Sequence, residues 1–249
     1  MPLLIIGSVV LQFICLVHMV RTGRPYWWLW IILVGSYLGS AVYILTQVIP
    51  DLRNDPRARR AARSVVKSID PERDRRRIAA QLDVADTVEN RLRLAREALE
   101  LGDAPQAEAL FESARKGPHA SDPDILLGLA QAQFARGDAA ATRATLDALI
   151  AANPSFRSVD GHLLYACALE QLGEHDAALH EYEALATSYP GEEARVRYAE
   201  LLAKRERFVD ARKVLDDIAK RERAAPSYYR RKEKDWLAQA KALRAKIGA

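Results

Sequence analysis

The first fifty residues carry only two formal charges, Arg21 and Arg24, and no acid occurs before Asp51. That constrains the chain more than anything after it, because about 20 consecutive apolar residues suffice for a helix that spans a bilayer. Two apolar runs stand either side of a short basic and aromatic link, Arg21–Tyr26. The second, Trp27–Ile49, has 23 residues without a charge and opens on Trp27, Trp28 and Trp30, as an interfacial aromatic belt does. The first, residues 2–20, is uncharged but interrupted by Gln12 and His18. A cleaved secretory signal is the competing reading; against it, no Lys or Arg precedes the first run and no small-residue cleavage site precedes the second. The expectation is therefore a two-helix transmembrane hairpin over residues 1–50, with spans at about 2–20 and 27–49.

Orientation follows from basic residues near the span ends. Arg53, Arg57, Arg59, Arg60, Arg63 and Lys67 follow the second run, against Arg21 and Arg24 in the link. Six against two place both termini in the cytoplasm, although the two link arginines oppose that arrangement. Gly35 and Gly39, and Ser36 and Ser40, recur at intervals of four, a spacing that allows close helix approach. They pack against the first run around Gly7 and Ser8, or against a second copy. His18 reads as an interfacial residue.

The pattern HMVRTGRPYWWLWIILVGSYLGSAVY resembles the N-terminal membrane region that precedes the catalytic domains of bacterial cardiolipin synthases of the phospholipase D family. Arg24, Trp28, Trp30, Gly39 and Tyr43 carry the likeness. It covers about one fifth of the chain. That family's chemistry uses HxKxxxxD motifs with a histidine nucleophile, and none of His18, His119, His162, His175 and His180 has a lysine two residues later. The resemblance thus implies the bacterial inner membrane and phospholipid biology, without the phospholipase reaction.

Charge is distributed unevenly over the remainder. Residues 51–77 carry net +5, residues 78–219 net −10 and residues 220–249 net +7. A basic neck and a basic tail bracket an acidic body, which argues against reading the overall +4 as a nucleic-acid signature. The neck, within a linker of residues 51–85, offers Arg57, Arg59, Arg60, Arg63 and Lys67 to an anionic lipid surface; each such residue is worth about 1 kcal/mol near the membrane. No aromatic residue lies between Asp51 and Gln81 to stack a base. Asp70-Pro71-Glu72 opens a short helix, either a linker or an N-terminal cap for the helical body.

Residues 86–225 repeat. Gly102, Gly137 and Gly173 are 35 and 36 apart, each followed by an acid and flanked by alanine-rich stretches; a fourth copy keeps the alanines but lacks the glycine. This resembles the tetratricopeptide repeat, a helix–turn–helix of 34 residues. The matching small residues are Ala95, Ala130, Ala166 and Ala199 in the first helices and Ala107, Thr142, Ala178 and Ala211 in the second, followed by Phe111, Leu146, Tyr182 and Leu215. Small residues let paired helices approach, and the large one fills the gap to the next repeat. The tryptophan usual near the start of the first helix is absent. Residues 226–249 form a basic capping helix, with Trp236, Leu237, Ala240, Leu243 and Ile247 at helical spacing to cover the last repeat. The fold expectation is all-α: a membrane hairpin, then about four repeats and a cap.

The spacing of titratable residues supplies no triad, metal set or phosphate loop. His175 and His180 are five apart, awkward for joint ligation, and Cys167 reads as a packing cysteine. Cys15 and Cys167 form no CxxC and no disulfide framework. No catalytic residue, metal or other cofactor is expected. By the resemblance, such repeats bind peptides or partner domains on the face made by their first helices, here Arg96, Gln131, Phe134, Asp160, Leu163, Cys167, Glu170 and Glu200. The net −10 favours a basic protein or peptide partner. The expected role is a membrane-anchored scaffold without enzyme activity. The alternatives are an accessory subunit of a phospholipid-synthesis or envelope-assembly enzyme and, with inverted topology, a periplasmic assembly factor.

Overall fold

The structure is a computed structural model that describes residues 2–56 and 69–248, with side chains omitted at 2–6, 52 and 53. The basic residues Arg57, Arg59, Arg60, Arg63 and Lys67 lie outside the described residues. The described residues are helical and contain no strand. They fall into two compact units that meet in sequence at Arg73/Asp74.

The first unit contains α1 (Pro2–Thr22), α2 (Trp27–Tyr43), a π-helical turn over Ile44–Val48, and α3 (Ile49–Asn54). Among the described residues one helical run, Trp27–Asp51, is long and apolar enough to cross a membrane, and the part of α1 whose side chains are described, Gly7–Thr22, is a shorter apolar stretch. The longer run reaches that length only when read through a break. Ser36 adopts φ 46° and ψ −121°, far from helical values. Around it the chain doubles back. The rings of Trp28 and Tyr43 meet edge to face at 5.2 Å, whereas fifteen residues of straight helix would separate them by roughly 22 Å. A Cβ at Gly39 would lie 1.9 Å from the Ile31 carbonyl oxygen, so only glycine permits the approach.

A continuous second span is therefore corrected to two helical pieces folded at Ser36. The physical reason lies in the first helix. The Ile32 and Leu33 carbonyls stand just before the break, and Gln12 Nε2 donates to both, at 2.9 and 3.3 Å. Ser8 and Ser36 share a hydroxyl hydrogen bond at 2.7 Å. Cys15, Met19, Trp28, Ile32 and Tyr43 form the buried core. At the end where α1 turns into the link, Arg24 Nη2 donates to both Asp51 oxygens, at 2.7 and 2.9 Å, and His18 Nδ1 lies 3.1 Å from the Tyr43 hydroxyl.

The second unit opens with α4 (Arg73–Val84) and continues as four helix pairs: α5 (Val88–Glu100) with α6 (Ala104–Ala114), α7 (Pro123–Ala135) with α8 (Ala139–Ala152), α9 (Val159–Gln171) with α10 (His175–Ser188), and α11 (Glu193–Lys204) with α12 (Phe208–Ala224). Two helices close it, α13 (Ser227–Lys232) and α14 (Lys234–Lys246). The tail is thus divided at Glu233, where one helix was expected.

One turn design recurs in every pair. Gly102, Gly137 and Gly173 take φ of +82°, +88° and +79°, and nothing within 4 Å would obstruct a Cβ at any of them. Their glycine serves the backbone angle alone. The amide after each glycine returns to the carbonyl five residues earlier: Asp103 to Ala98 at 2.9 Å, Asp138 to Gln133 at 3.0 Å and Glu174 to Leu169 at 3.0 Å. This six-to-one bond closes the first helix. Asp103 and Asp138 then cap the second helix, accepting from Gln106 and Ala141 amides. One residue thus ends one helix and starts the next. The fourth pair makes the same turn without glycine: Glu206 adopts φ +58°, and the Arg207 amide reaches the Leu202 carbonyl at 2.9 Å.

All twelve residues assigned to the small and large repeat positions are buried, none above 2% exposure. Phe111 packs with Ala95, Ala98, Ala107, Leu129 and Ala132 across the first and second pairs. Gly128 completes that contact, since a Cβ there would stand 2.4 Å from the Phe111 ring. Thr145 donates to Gln133 at 2.8 Å, satisfying a buried amide within the second pair. At the cap, Leu237 and Ala240 are buried against Val196, Ala199, Leu215 and Ile218, with Trp236, Leu243 and Ile247 packed around them.

Candidate functional site

The first helices of the pairs, α5, α7, α9 and α11, carry the residues expected to meet a partner, and the structure separates them. Arg96 and Asp160 are exposed, and Gln131 and Glu200 half-buried. Phe134 is half-buried against the core of the third and fourth pairs. Leu163 and Cys167 are buried at 7% and 6% exposure, in the same cluster as Tyr182, Tyr198 and Leu202. They are packing residues rather than exposed contacts. Burial pushes the Cys167 thiol up from its usual pKa despite the nearby Arg197 guanidinium, and the Tyr182 phenol rises for the same reason. Neither is poised to ionise near neutrality.

Glu170 is already engaged. Its carboxylate accepts from the Tyr182 hydroxyl at 3.0 Å and pairs with Lys204 at 2.7 Å. The Lys204 pairing joins the third repeat to the fourth along the first-helix face. Asp160 receives a long bond from the Tyr189 hydroxyl at 3.5 Å. The acidity of this face is thus partly satisfied within the chain.

Two depressions offer partner-sized space. One, about 590 Å³, lies between the second and third repeats and is lined by Leu127, Leu149, Ile150, Phe156 and Tyr165 among others. At its polar side His162 Nε2 approaches Glu181 at 2.6 Å, and Tyr165 donates to Asp147 at 3.0 Å. The other, about 810 Å³, lies between α11 and α14, with Glu200, Lys204, Phe208, Leu243 and Ile247 on its walls. Apolar walls with a few polar groups suit a peptide side chain. Only Glu200 of the expected residues lines either depression. Among the described residues no group of three or more His, Cys, Asp or Glu is arranged to hold a metal ion.

Sequence reasoning missed the polar lock beneath the cap. Glu192 is fully buried and accepts from Tyr229 Oη at 2.8 Å and Arg221 Nε at 3.1 Å. Arg195, also buried, lies 3.4 Å from its second oxygen and donates to the Gly191 and Tyr189 carbonyls. Glu233, at the α13–α14 junction, accepts from the Glu192 amide at 3.0 Å. Arg197 stacks over the Trp236 ring at 5.3 Å. The available signal was the cluster Gly191-Glu192-Glu193 with Arg195 directly after Pro190.

The repeat geometry agrees with two family models, each described as tetratricopeptide repeat, which match residues 98–166 and 163–229. Residues 98–229 are tetratricopeptide repeats. Neither family model is a catalytic one, and tetratricopeptide repeats bind other proteins or peptides. No curated protein matches the chain. Among solved structures, a thermophilic tetratricopeptide-repeat protein of Thermus thermophilus superposes with a TM-score of 0.53 at 20% identity, over 68% of this chain and 87% of that one. MamA superposes with a TM-score of 0.50 at 18% identity, over 72% of this chain and 93% of that one. At such identity the likeness extends to the fold alone.

Proposed function

We propose that this chain is a membrane-anchored scaffold, without enzyme activity, that presents its tetratricopeptide repeats to a basic protein or peptide in the cytoplasm of a bacterium. One observation carries the reading. The signature positions of the repeats are all consumed internally, while Arg96, Asp160 and Glu200 remain at least partly accessible on the first helices. The apolar first fifty residues supply the anchor, and Arg57, Arg59, Arg60, Arg63 and Lys67 supply attraction to anionic lipid. Tethering concentrates the repeats at the bilayer and raises the effective concentration of any partner held there.

The full chain, tagged at its C-terminus and extracted in mild detergent, tests this. It is expected to retain a partner with a basic segment, and Asp160→Lys with Glu200→Lys is expected to reduce that retention at least tenfold. Unchanged retention by the double variant removes the acidic first-helix face from the proposal. A second reading, an accessory subunit of a phospholipid-synthesis or envelope-assembly enzyme, is favoured by the likeness of Arg24, Trp28, Trp30, Gly39 and Tyr43 to the cardiolipin synthase N-terminal region. Retention of such an enzyme in stoichiometric amount decides for it.

A further inference from the structure

We propose that residues 2–54 enter the bilayer as one crossing helix, α1, followed by a re-entrant pair folded at Ser36, so that Arg24 and Asp51 lie at the same membrane face. The proposal rests on the membrane-anchor reading above and specifies its geometry. Three independent features of the first unit carry it.

The first is where the ends meet. In a hairpin of two full spans, the link and the end of the second helix lie on opposite sides of a hydrocarbon core about 30 Å thick. Here Arg24, in the link, holds Asp51 at 2.7 Å. Trp28 and Tyr43, near the two ends of α2, are in ring contact. The piece from Trp27 to Gly35 is roughly 13 Å long at 1.5 Å per residue, less than half the core thickness. It descends part-way and the chain returns. By contrast α1, with 21 residues, measures about 31 Å and matches the core.

The second is the satisfaction of the break. Irregular backbone survives at membrane depth only where protein covers its polar groups. Gln12 is placed on α1 to donate to the Ile32 and Leu33 carbonyls, and Ser8 to bond Ser36. Gln12, which interrupts the first apolar run, and Ser8 therefore have a purpose that depends on the fold at Ser36. Around them the outward surface is apolar: Phe13, Ile14, Trp30, Val34, Leu38 and Leu45 are all exposed, from 59% to 80%, as lipid-facing residues are. A bilayer is the occupant that fits, because this surface carries no charge from Pro2 to Val20 or from Pro25 to Pro50.

The third is charge. In a two-span hairpin Arg21 and Arg24 fall on the face opposite Arg53 and Arg57–Lys67 and contradict the usual basic bias. With a re-entrant pair, Arg21 and Arg24 fall on the same side as the chain that follows Pro50 and carries Arg53 and the later basic residues in sequence, so the link arginines no longer oppose the positive-inside rule.

Site-directed labelling of the full chain in intact bacterial cells distinguishes the arrangements. In a background of Cys15→Ala and Cys167→Ala, single cysteines are placed by Pro2→Cys, Gly23→Cys and Asp55→Cys and probed with a membrane-impermeant maleimide. The expected result is that Pro2→Cys reacts from outside, whereas Gly23→Cys and Asp55→Cys react only after lysis. Reaction of Gly23→Cys from outside with protection of Asp55→Cys overturns the re-entrant pair in favour of two spans. Release of the chain from membranes by alkaline carbonate overturns the anchor reading itself, a separate outcome. As a check that needs no substitution, trypsin added to sealed vesicles of one orientation is expected to cut the wild-type chain after Arg21 and after Arg53 or Arg57 from the same side, the Arg24–Pro25 bond being resistant to trypsin. Cutting of the two groups from opposite sides overturns the proposal.

Discussion

At the scale of single residues the turn position shows most directly how backbone angle selects side chain. Three of the four repeat turns place glycine at a φ near +80°, and the fourth places Glu206 at +58° with the same closing hydrogen bonds. A left-handed residue other than glycine costs about 1–2 kcal/mol, while glycine loses more chain entropy on folding, about 0.5–1 kcal/mol. The first term exceeds the second, so Glu206→Gly is expected to stabilise the repeats by about 0.5–1 kcal/mol, read as a higher urea midpoint of the helical signal with unchanged slope. A lower midpoint removes backbone strain as the distinguishing feature of the fourth turn. The glycines themselves were legible in the sequence because their spacing is fixed by repeat length. The fate of Leu163 and Cys167 was not. Helical period assigns them to the first-helix face, but whether that face is open depends on the size of Tyr182 and Tyr198, which pack over it from other helices. Sequence spacing carries no information about that depth.

At the scale of elements, two features escaped the sequence for opposite reasons. The break in α2 was hidden because Gly35, Ser36, Gly39 and Ser40 equally describe a smooth stripe for helix packing; what distinguishes a fold is Gln12, some twenty residues away, reaching carbonyls that a straight helix would keep for itself. The cap was anticipated from its apolar period, and Leu237 and Ala240 are indeed buried, but its polar attachment was not. Glu192 is fully buried with Arg195 beside it, and Arg221 and Tyr229 complete its hydrogen bonds. Removing one partner from a buried charge network costs about 3 kcal/mol, because the remaining charge loses its compensation. Glu192→Ala is therefore expected to destabilise by about that amount. The loss should concentrate in α13 and α14, where amide hydrogen exchange would quicken first while α5–α8 keep their protection. Uniform loss of protection over all four repeats would show that the lock serves the whole stack rather than its end.

At the scale of the whole molecule, the first unit presents apolar side chains on its surface, whereas residues 78–219 of the repeat unit carry net −10. The repeat unit is a linear stack in which each pair gains stability from its neighbours, so an uncovered end is its weakest point. Here α14 covers Val196, Leu215 and Ile218, three side chains with 2% exposure or less. Burial of each apolar side chain is worth about 1.5–3 kcal/mol, so uncovering three weakens the last repeat. A chain ending at Ala225 is expected to lose more helical signal than its missing residues account for, and to self-associate through the exposed end of α11 and α12. By the proposed anchoring it should nevertheless remain in the alkaline-washed membrane fraction, because the apolar surface of residues 2–54 is untouched. Circular dichroism and light scattering of the detergent-solubilised chain, together with fractionation, measure all three. A shortened chain that stays monomeric with helix loss confined to the deleted residues would mean that the fourth repeat closes the stack on its own, and that the basic tail is available for a purpose other than capping.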